Sequence, residues 1–392
     1  MLAAVTPLDA ELVPLDEALG RVLAEELRSA ADLPRFHSSA MDGFAVPAGA
    51  EGELRIAGEA RAGGPSQAAL EPGTAMRIST GASVPAGTGA VVSVERAEEV
   101  GGMVRVPSSP AGENIRPRGE VLVEGELLLR PGAALTPAGL GVAASAGRAD
   151  VRCARRPRVA ILATGDELAD PGHDLAPGQI WSSNPLALAG QVRLAGGVVQ
   201  RTETVPDDPE ATRTALAGAA AAADVLCVSG GVSVGPHDHV KGALAELQFE
   251  EGFWRVALKP GKPTWFGVRA GPAPAVLAFG LPGNPVSAMV TFQLFVRLAL
   301  RAMQGADPTA TRATAVLDAE LTRNPAREEA VRCRLAMEDD GLHAVPTGPQ
   351  GSHVITSMLA ADCLALIEAG EGPVRAGDRV PVELLAGVSS AS

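Results

Sequence analysis

Tyrosine is missing from this 392-residue chain, and aromatic side chains make up only 3% of it. Lysine is almost as scarce, since Lys241, Lys259 and Lys262 are the whole supply among 33 basic residues. With 46 acidic residues the net charge is −13. A general nucleic-acid binder needs a basic footprint and, for single strands, stacking rings, so that class is excluded. The four cysteines (Cys153, Cys227, Cys333, Cys363) form no CxxC pair and have no nearby histidine. They are expected to be buried, reduced thiols and not a disulfide framework or a zinc site. The most apolar run, residues 285–300, is interrupted by Arg297, so no membrane-spanning helix is expected. The first basic residue is Arg21, which leaves no positive n-region for a secretory signal, and the expected location is cytoplasmic.

What remains is a globular composition, with 46% hydrophobic and 20% charged residues. At roughly 100–200 residues per domain, the length predicts two to four domains. Residues 8–29 repeat leucine and alanine at three-to-four spacing (Leu12, Leu15, Ala18, Leu19, Val22, Leu23), which predicts an amphipathic helix. Residues 34–126 carry short Val/Ile/Leu runs between Gly and Pro clusters, the pattern of a turn-rich β domain. Residues 127–151 read as short and helical again. From 158 on, apolar strands (158–163, 198–205, 225–229, 275–279) alternate with helices starting at Asn184-Pro185, Asp208-Pro209, Val240 and Asn284-Pro285, the last running to Met303. That alternation predicts a doubly wound, mostly parallel sheet with ligands beyond the carboxyl ends of its strands. Short alternating strands after 305 predict a separate small β domain.

The strand-end loops hold the chemistry. Gly230 and Gly231 follow a buried strand and let backbone amides approach an anion, with Ser229 and Ser233 as hydroxyl donors; the same pair also reads as a tight turn. Asn284 opens a helix and offers a second anion site or a plain cap. Glu167, Asp207, Asp208 and Asp238 all fall in these loops, where converging oxygens suit Mg²⁺; Asp208 reads more readily as a helix cap. His237 and His239 flank Asp238, and without a third ligand they read as surface histidines. Confining every lysine to 22 positions points to sites that need a compact ammonium where a planar guanidinium would not serve. With Arg116 and Arg118 the lysines could form a local positive site for a phosphate or oxyanion. Lys241 is expected on a solvated helix face.

Seven segments together resemble the MoeA family of molybdopterin molybdotransferases, related to the E domain of gephyrin and of its plant counterpart. They are Ser39-Ala-Met-Asp42-Gly-Phe-Ala-Val46, Arg77-Ile-Ser-Thr80, Glu113-Asn-Ile-Arg-Pro-Arg-Gly119, Thr164-Gly-Asp-Glu167-Leu168, Ser229-Gly-Gly-Val-Ser233, Lys259-Pro-Gly-Lys262-Pro and Leu281-Pro-Gly-Asn284-Pro-Val-Ser287. The resemblance implies a multidomain α/β plus β chain, with a central MogA-like catalytic domain (156–304). It implies a discontinuous helical dimerisation domain (1–30 with 127–155), a β-rich domain (31–126) and a C-terminal β-barrel-like domain (305–392). The implied reaction takes adenylylated molybdopterin and molybdate, inserts the metal, and releases AMP with Mg²⁺. The implied assembly is a homodimer, with Asp42 and Thr80 facing the partner's α/β domain; the upstream adenylyltransferase is a possible second partner.

Carried over by position, Glu167, Asp207 or Asp208, and Asp238 serve the metal and the pyrophosphate link, while Ser233 and Lys259 contact nucleotide or phosphate. Lys262, Ser287, Arg332 and Ser352 match the molybdate pocket. Two departures stand out: Val121 replaces an aspartate in the family's Gly-Glu-Asp, and Gly89 replaces one in its Gly-Ala-Asp-Ala-Val. The competing readings are a molybdopterin adenylyltransferase, which does not need the flanking β domains, and a non-catalytic gephyrin-like scaffold, which would not need the loop carboxylates and lysines.

Overall fold

The apolar run after Pro157 becomes the strand Arg158–Thr164, whose residues 159–163 are each at most 2% exposed. A strand apolar on both faces must be covered on both faces. In the computed structural model, which describes residues 1–64, 66, 68–233, 238–271 and 275–385, it lies inside a six-stranded sheet. The order is Val198–Val205, Arg158–Thr164, Val225–Ser229, Val276–Leu281, Trp265–Arg269, Glu250–Trp254; the first four pair in parallel, and Trp265–Arg269 pairs antiparallel with both of its neighbours. Ile161 and Cys227 face one core with Leu188, Val192, Phe292 and Val296. Leu162 and Val228 face the other with Leu216, Ala219 and Leu244. The period-two alternation thus feeds two helical layers, and each buried Leu or Ile contributes about 1.5–3 kcal/mol.

Helices Asn184–Leu194 and Pro209–Ala222 start where their Asn-Pro and Asp-Pro pairs predict. The helix from Pro285 changes to a π-turn at Phe292–Val296 before ending at Met303. By length and composition this 19-residue stretch passes for a membrane span, contrary to the sequence expectation, yet 72% of its most apolar window is buried inside the protein. It is the core helix of the α/β layer. The edge strand Glu250–Trp254 and its antiparallel neighbour Trp265–Arg269 were not anticipated, because charged and glycine residues break their pattern.

Residues 8–29 do not form the expected amphipathic helix. Ala10–Pro14 is a strand paired antiparallel with Asp150–Ala154, a single 3₁₀ turn follows at Leu15–Glu17, and Leu27–Arg28 pairs with Leu127–Leu129. Pro14 and Gly20 interrupt the helical pattern, and the pairing buries Val13 while leaving Leu12 and Leu19 more than half exposed. Residues 127–151 are helical only at Pro137–Ser145, capped by the Thr136 hydroxyl on Gly139 N. The two segments share one core, Val13, Leu23, Leu27, Leu135 and Val151.

Residues 43–106 form the mixed sheet Ala90–Ser93, Gly43–Val46, Thr74–Ile78, Gly52–Ala60, Met103–Val106, Glu98–Val100. Gly89 belongs to its backbone packing, since a Cβ there would stand 2.3 Å from Ala48 N and Cα. At the other end, Glu328–Glu338, Gly341–Pro346, Arg312–Leu317, Arg379–Leu384 and Cys363–Ile367 close into a five-stranded barrel. Leu258–Lys259 adds to its edge, parallel to Glu328–Glu338. A buried ion pair, Arg297 Nη2 to Glu383 Oε1 at 2.7 Å, fastens the core helix to the barrel.

Candidate functional site

Three of the four loop carboxylates converge. Glu167, Asp207 and Asp238 line one cavity of about 270 Å³ at the carboxyl ends of the parallel strands, with Gly230, Gly231 and Ser233 opposite. Gly165 makes room for this, because a Cβ there would meet the Glu167 carboxylate at 2.5 Å. Ile180 N donates to Glu167 O at 2.8 Å, and Asp207 N donates to Asp166 Oδ1 at 3.0 Å, so both carboxylate loops are tied by backbone groups. Asp208 is a correction: its side chain accepts from Ala211 N at 2.8 Å as the cap of Pro209–Ala222, and it does not line the cavity. His237 lies outside the described residues.

The glycine loop is built differently from the expected amide cradle. Gly230 N donates to Leu281 O at 3.1 Å, so this amide is already taken by the sheet. The glycines are required by space: at positive φ, a Cβ on Gly230 would meet Thr164 O at 2.8 Å, and one on Gly231 would meet Val240 Cγ2 at 2.6 Å. Ser229 is buried and structural, its hydroxyl accepting from Asn184 Nδ2 (2.8 Å) and donating to Pro282 O (3.2 Å). Ser233 is the exposed hydroxyl in the cavity. Asn284 makes no side-chain cap on Pro285–Thr291 and lines a larger adjoining cavity of about 470 Å³.

The remaining cations separate into two groups. Arg332 is 1% exposed; its Nε donates to Ser357 Oγ and its Nη2 to Gly351 O, both at 3.2 Å. Burial pushes its pKa down, and among the described residues no carboxylate pairs with it. Ser352 O accepts from Val286 N at 3.3 Å, beside the buried Ser287, so the barrel loop and the start of the core helix meet here. Lys259 reaches the barrel through Glu329 Oε1 at 2.7 Å; Lys262 is exposed and two residues from it, Thr264 is buried. Lys241 is not on a solvated face: its ammonium sits 3.0 Å above the Trp254 ring and 3.7 Å from Glu251.

Arg116 and Arg118 lie on the N-terminal β unit, and neither they nor Lys259 and Lys262 line either cavity. Arg118 pairs with Asp32, whose carboxyl is held below its usual range by Glu124 N and then by Arg118. Asp42 and Thr80 are brought together, Thr80 N donating to Asp42 Oδ1 at 2.7 Å, yet neither lines the carboxylate cavity of its own chain. The sequence reading passed over Asp166, Trp181 and Ser182. The first stood inside a quoted motif; the other two carried only the signal of preceding a helix.

Family models match the chain in three consecutive blocks: the MoeA N-terminal region (domain I and II) over residues 1–147, a probable molybdopterin binding domain over 160–302, and the MoeA C-terminal region (domain IV) over 314–385. Molybdopterin molybdenumtransferase 2 of Mycobacterium tuberculosis is 39% identical over 388 residues, 94% of each chain. The molybdopterin molybdenumtransferase of Haemophilus influenzae is 34% identical over 96% of this chain and 94% of its own. A crystal structure of the molybdopterin biosynthesis MoeA protein of Pyrococcus horikosii superposes with a TM-score of 0.81 at 30% identity, covering 97% of this chain and 95% of that one. With all three blocks in order and near-full-length relatives at these identities, this chain belongs to the MoeA family.

Proposed function

We propose that this chain is a molybdopterin molybdotransferase that inserts molybdate into adenylylated molybdopterin and releases AMP. The observation that carries the reading is the convergence of Glu167, Asp207 and Asp238 on one strand-end cavity that opens beside a second, larger one. An all-oxygen set of three carboxylates fits Mg²⁺ better than a softer ion. When bound there, Mg²⁺ supplies positive charge against the phosphoanhydride oxygens whose link is broken. Ser233 holds a phosphate oxygen, and Lys259 adds charge from the barrel side. Molybdate, a dianion, is taken up by Lys262 with Arg332, Ser287 and Ser352, where a buried guanidinium facing only neutral oxygens favours an anion.

The site is shared across a homodimer in this reading. Asp42 and Thr80 form a prepared pair on the N-terminal β unit without reaching their own chain's carboxylates, so a partner's β unit completes each cavity. Four free, buried cysteines support a reducing, cytoplasmic location. Purified protein given adenylylated molybdopterin, Mg²⁺ and molybdate is expected to release AMP in a molybdate-dependent manner. Turnover that instead requires ATP and free molybdopterin assigns the chain to the preceding adenylyl transfer.

A further inference from the structure

Arg332 sits where the ladder of the barrel is interrupted. On one side its strand, Glu328–Glu338, pairs with Cys363–Ile367, and Arg332 lies opposite Leu364. On the other side Leu258–Lys259 reaches only to Glu329, and Gly341–Pro346 takes up the pairing from Cys333 onward. Among the described residues, no strand stands opposite Arg332 there. A side chain fills the gap: Arg332 N donates to Gln350 Oε1 at 2.9 Å, and Gln350 Nε2 donates back to Arg332 O at 3.2 Å. A carboxamide carries an acceptor and a donor in one plane, as the main chain of a neighbouring strand would. The same Nε2 also donates to Gly348 O at 3.1 Å, so the amide is spent on main-chain atoms.

The loop that carries Gln350 wraps the same arginine. Thr347 N donates to Arg332 O at 2.9 Å, and the Thr347 hydroxyl reaches both Arg332 O (3.2 Å) and Ser357 O (3.1 Å). The guanidinium donates through Nε to Ser357 Oγ and through Nη2 to Gly351 O. Among the described residues no group takes Nη1, and that nitrogen keeps accessible surface. The loop then crosses to the α/β layer, where Ser352 O accepts from Val286 N at 3.3 Å. Asn284 makes no side-chain cap on that helix, so the loop carbonyl takes one of its free amides beside Ser287. One loop thus ties Arg332, Ser352 and the helix start together, and Gln350 is its bond to the arginine's backbone.

We propose that Gln350 is a positioning residue for the oxyanion: standing in for the missing strand, it locks the backbone of Arg332 and so aims Nη1 relative to Ser352 and Ser287. This role rests on the molybdotransferase reading above and adds a residue that reading does not use. Gln350 does not touch the anion, since its carboxamide is occupied by the main chain. It acts through Arg332. A tetrahedral dianion is held by several short bonds at once, and a supporting shell that lets one donor drift by about 1 Å loses that donor's bond.

The test is steady-state AMP release by the full chain, with adenylylated molybdopterin and Mg²⁺ saturating and molybdate varied. Gln350→Met keeps the length of the side chain and removes both bonds to Arg332. Asp362→Ala is the comparison, because it removes a similar bond on the same strand, from Leu335 N to Asp362 Oδ2 at 2.9 Å. Gln350→Met is expected to raise the molybdate concentration for half-maximal release at least about fivefold with kcat within about twofold, as for binding lost equally from ground and transition states. Asp362→Ala is expected to lower the melting temperature to a similar extent and to leave the molybdate requirement unchanged. Thr347→Val loses only the hydroxyl bonds of the loop and keeps the Thr347 N donor, so it reads the same strap if Gln350→Met does not fold; its expected rise is about twofold. An unchanged molybdate requirement in folded Gln350→Met, or in Thr347→Val where the first does not fold, overturns the positioning role, as does an equal rise in Asp362→Ala. Wild-type protein that releases no AMP in response to molybdate overturns the molybdotransferase reading and this role with it, whereas normal wild-type release beside an unaffected Gln350→Met removes Gln350 alone.

Discussion

Asp207 is held to the loop that carries Glu167 by one hydrogen bond, from its backbone N–H to Asp166 Oδ1 across 3.0 Å. The two carboxylates that would share one ion in the proposed function thus come from different strand ends, Arg158–Thr164 and Val198–Val205, and are fixed to each other by a third. Asp166 acts on the site only through position. Asp166→Ala is expected to raise the Mg²⁺ concentration for half-maximal AMP release about tenfold, near 1.4 kcal/mol. Asp166→Asn keeps an acceptor oxygen and should stay within about threefold. Equal behaviour of the two variants would remove the positioning role.

In the proposed function Lys262 meets molybdate as a compact ammonium, a role that a planar guanidinium would not copy in a small oxyanion pocket. Lys262→Arg is expected to raise the molybdate concentration for half-maximal insertion at least tenfold, with adenylylated pterin binding little changed. Lys241→Arg is a poor neutral comparison, because Lys241 packs on Trp254. An exposed arginine away from both cavities, such as Arg105, is the better one for Arg→Lys exchange. A normal molybdate requirement in Lys262→Arg would move the pocket towards Arg332 and Ser352.

The barrel carries a titrating clamp. His343 Nδ1 lies 2.5 Å from Asp318 Oδ1 and Nε2 lies 2.7 Å from Asp340 Oδ1, with the Glu338 carboxylate close by. Asp318 first and Asp340 second raise its pKa from 6.5 to about 9. A raised folded-state pKa means the clamp stabilises fully below pH 6.5 and is lost as pH rises through about 9. Thermal melting should therefore fall between pH 6.5 and 9.5 in wild type, and the fall should be smaller in His343→Gln. Identical slopes would show that the pair does not titrate in this range.

The proposed sharing of each site between two subunits would make inactive subunits complementary. Asp42→Ala and Asp238→Ala, each inactive alone, should recover activity when mixed and allowed to exchange, because one of the two sites in a mixed dimer receives both intact residues. Persistent inactivity after proven exchange would place Asp42 in its own chain's site.

Much of this was legible in the residues, and the failures share a cause. The strands from 158, 198 and 225 and the helices after Asn184 and Asp208 were read almost to the residue, because burial on both faces and Asn-Pro or Asp-Pro starts are local signals. Residues 8–29 misled because Leu12, Leu15 and Leu19 imitate a helical stripe, while their conformation is set by pairing with residues nearly 140 positions away. Glu167, Asp207 and Asp238 line one cavity because each follows a strand, whereas Asp208, whose Asp-Pro pair already marked a helix start, is turned into the cap bond to Ala211. Trp181 and Ser182 had no motif to mark them. Both line the larger cavity, a placement that three-dimensional packing alone reveals.

The central claim is that the three-carboxylate cavity performs the chemistry, and the most direct measurement is AMP release by Glu167→Gln and Asp238→Asn beside wild type, with adenylylated molybdopterin, Mg²⁺ and molybdate all saturating. Both substitutions keep size and one acceptor oxygen while removing one negative charge, so folding should be preserved and kcat should fall at least ~100-fold, about 2.7 kcal/mol of transition-state stabilisation. Near-wild-type AMP release from either properly folded variant would contradict the account.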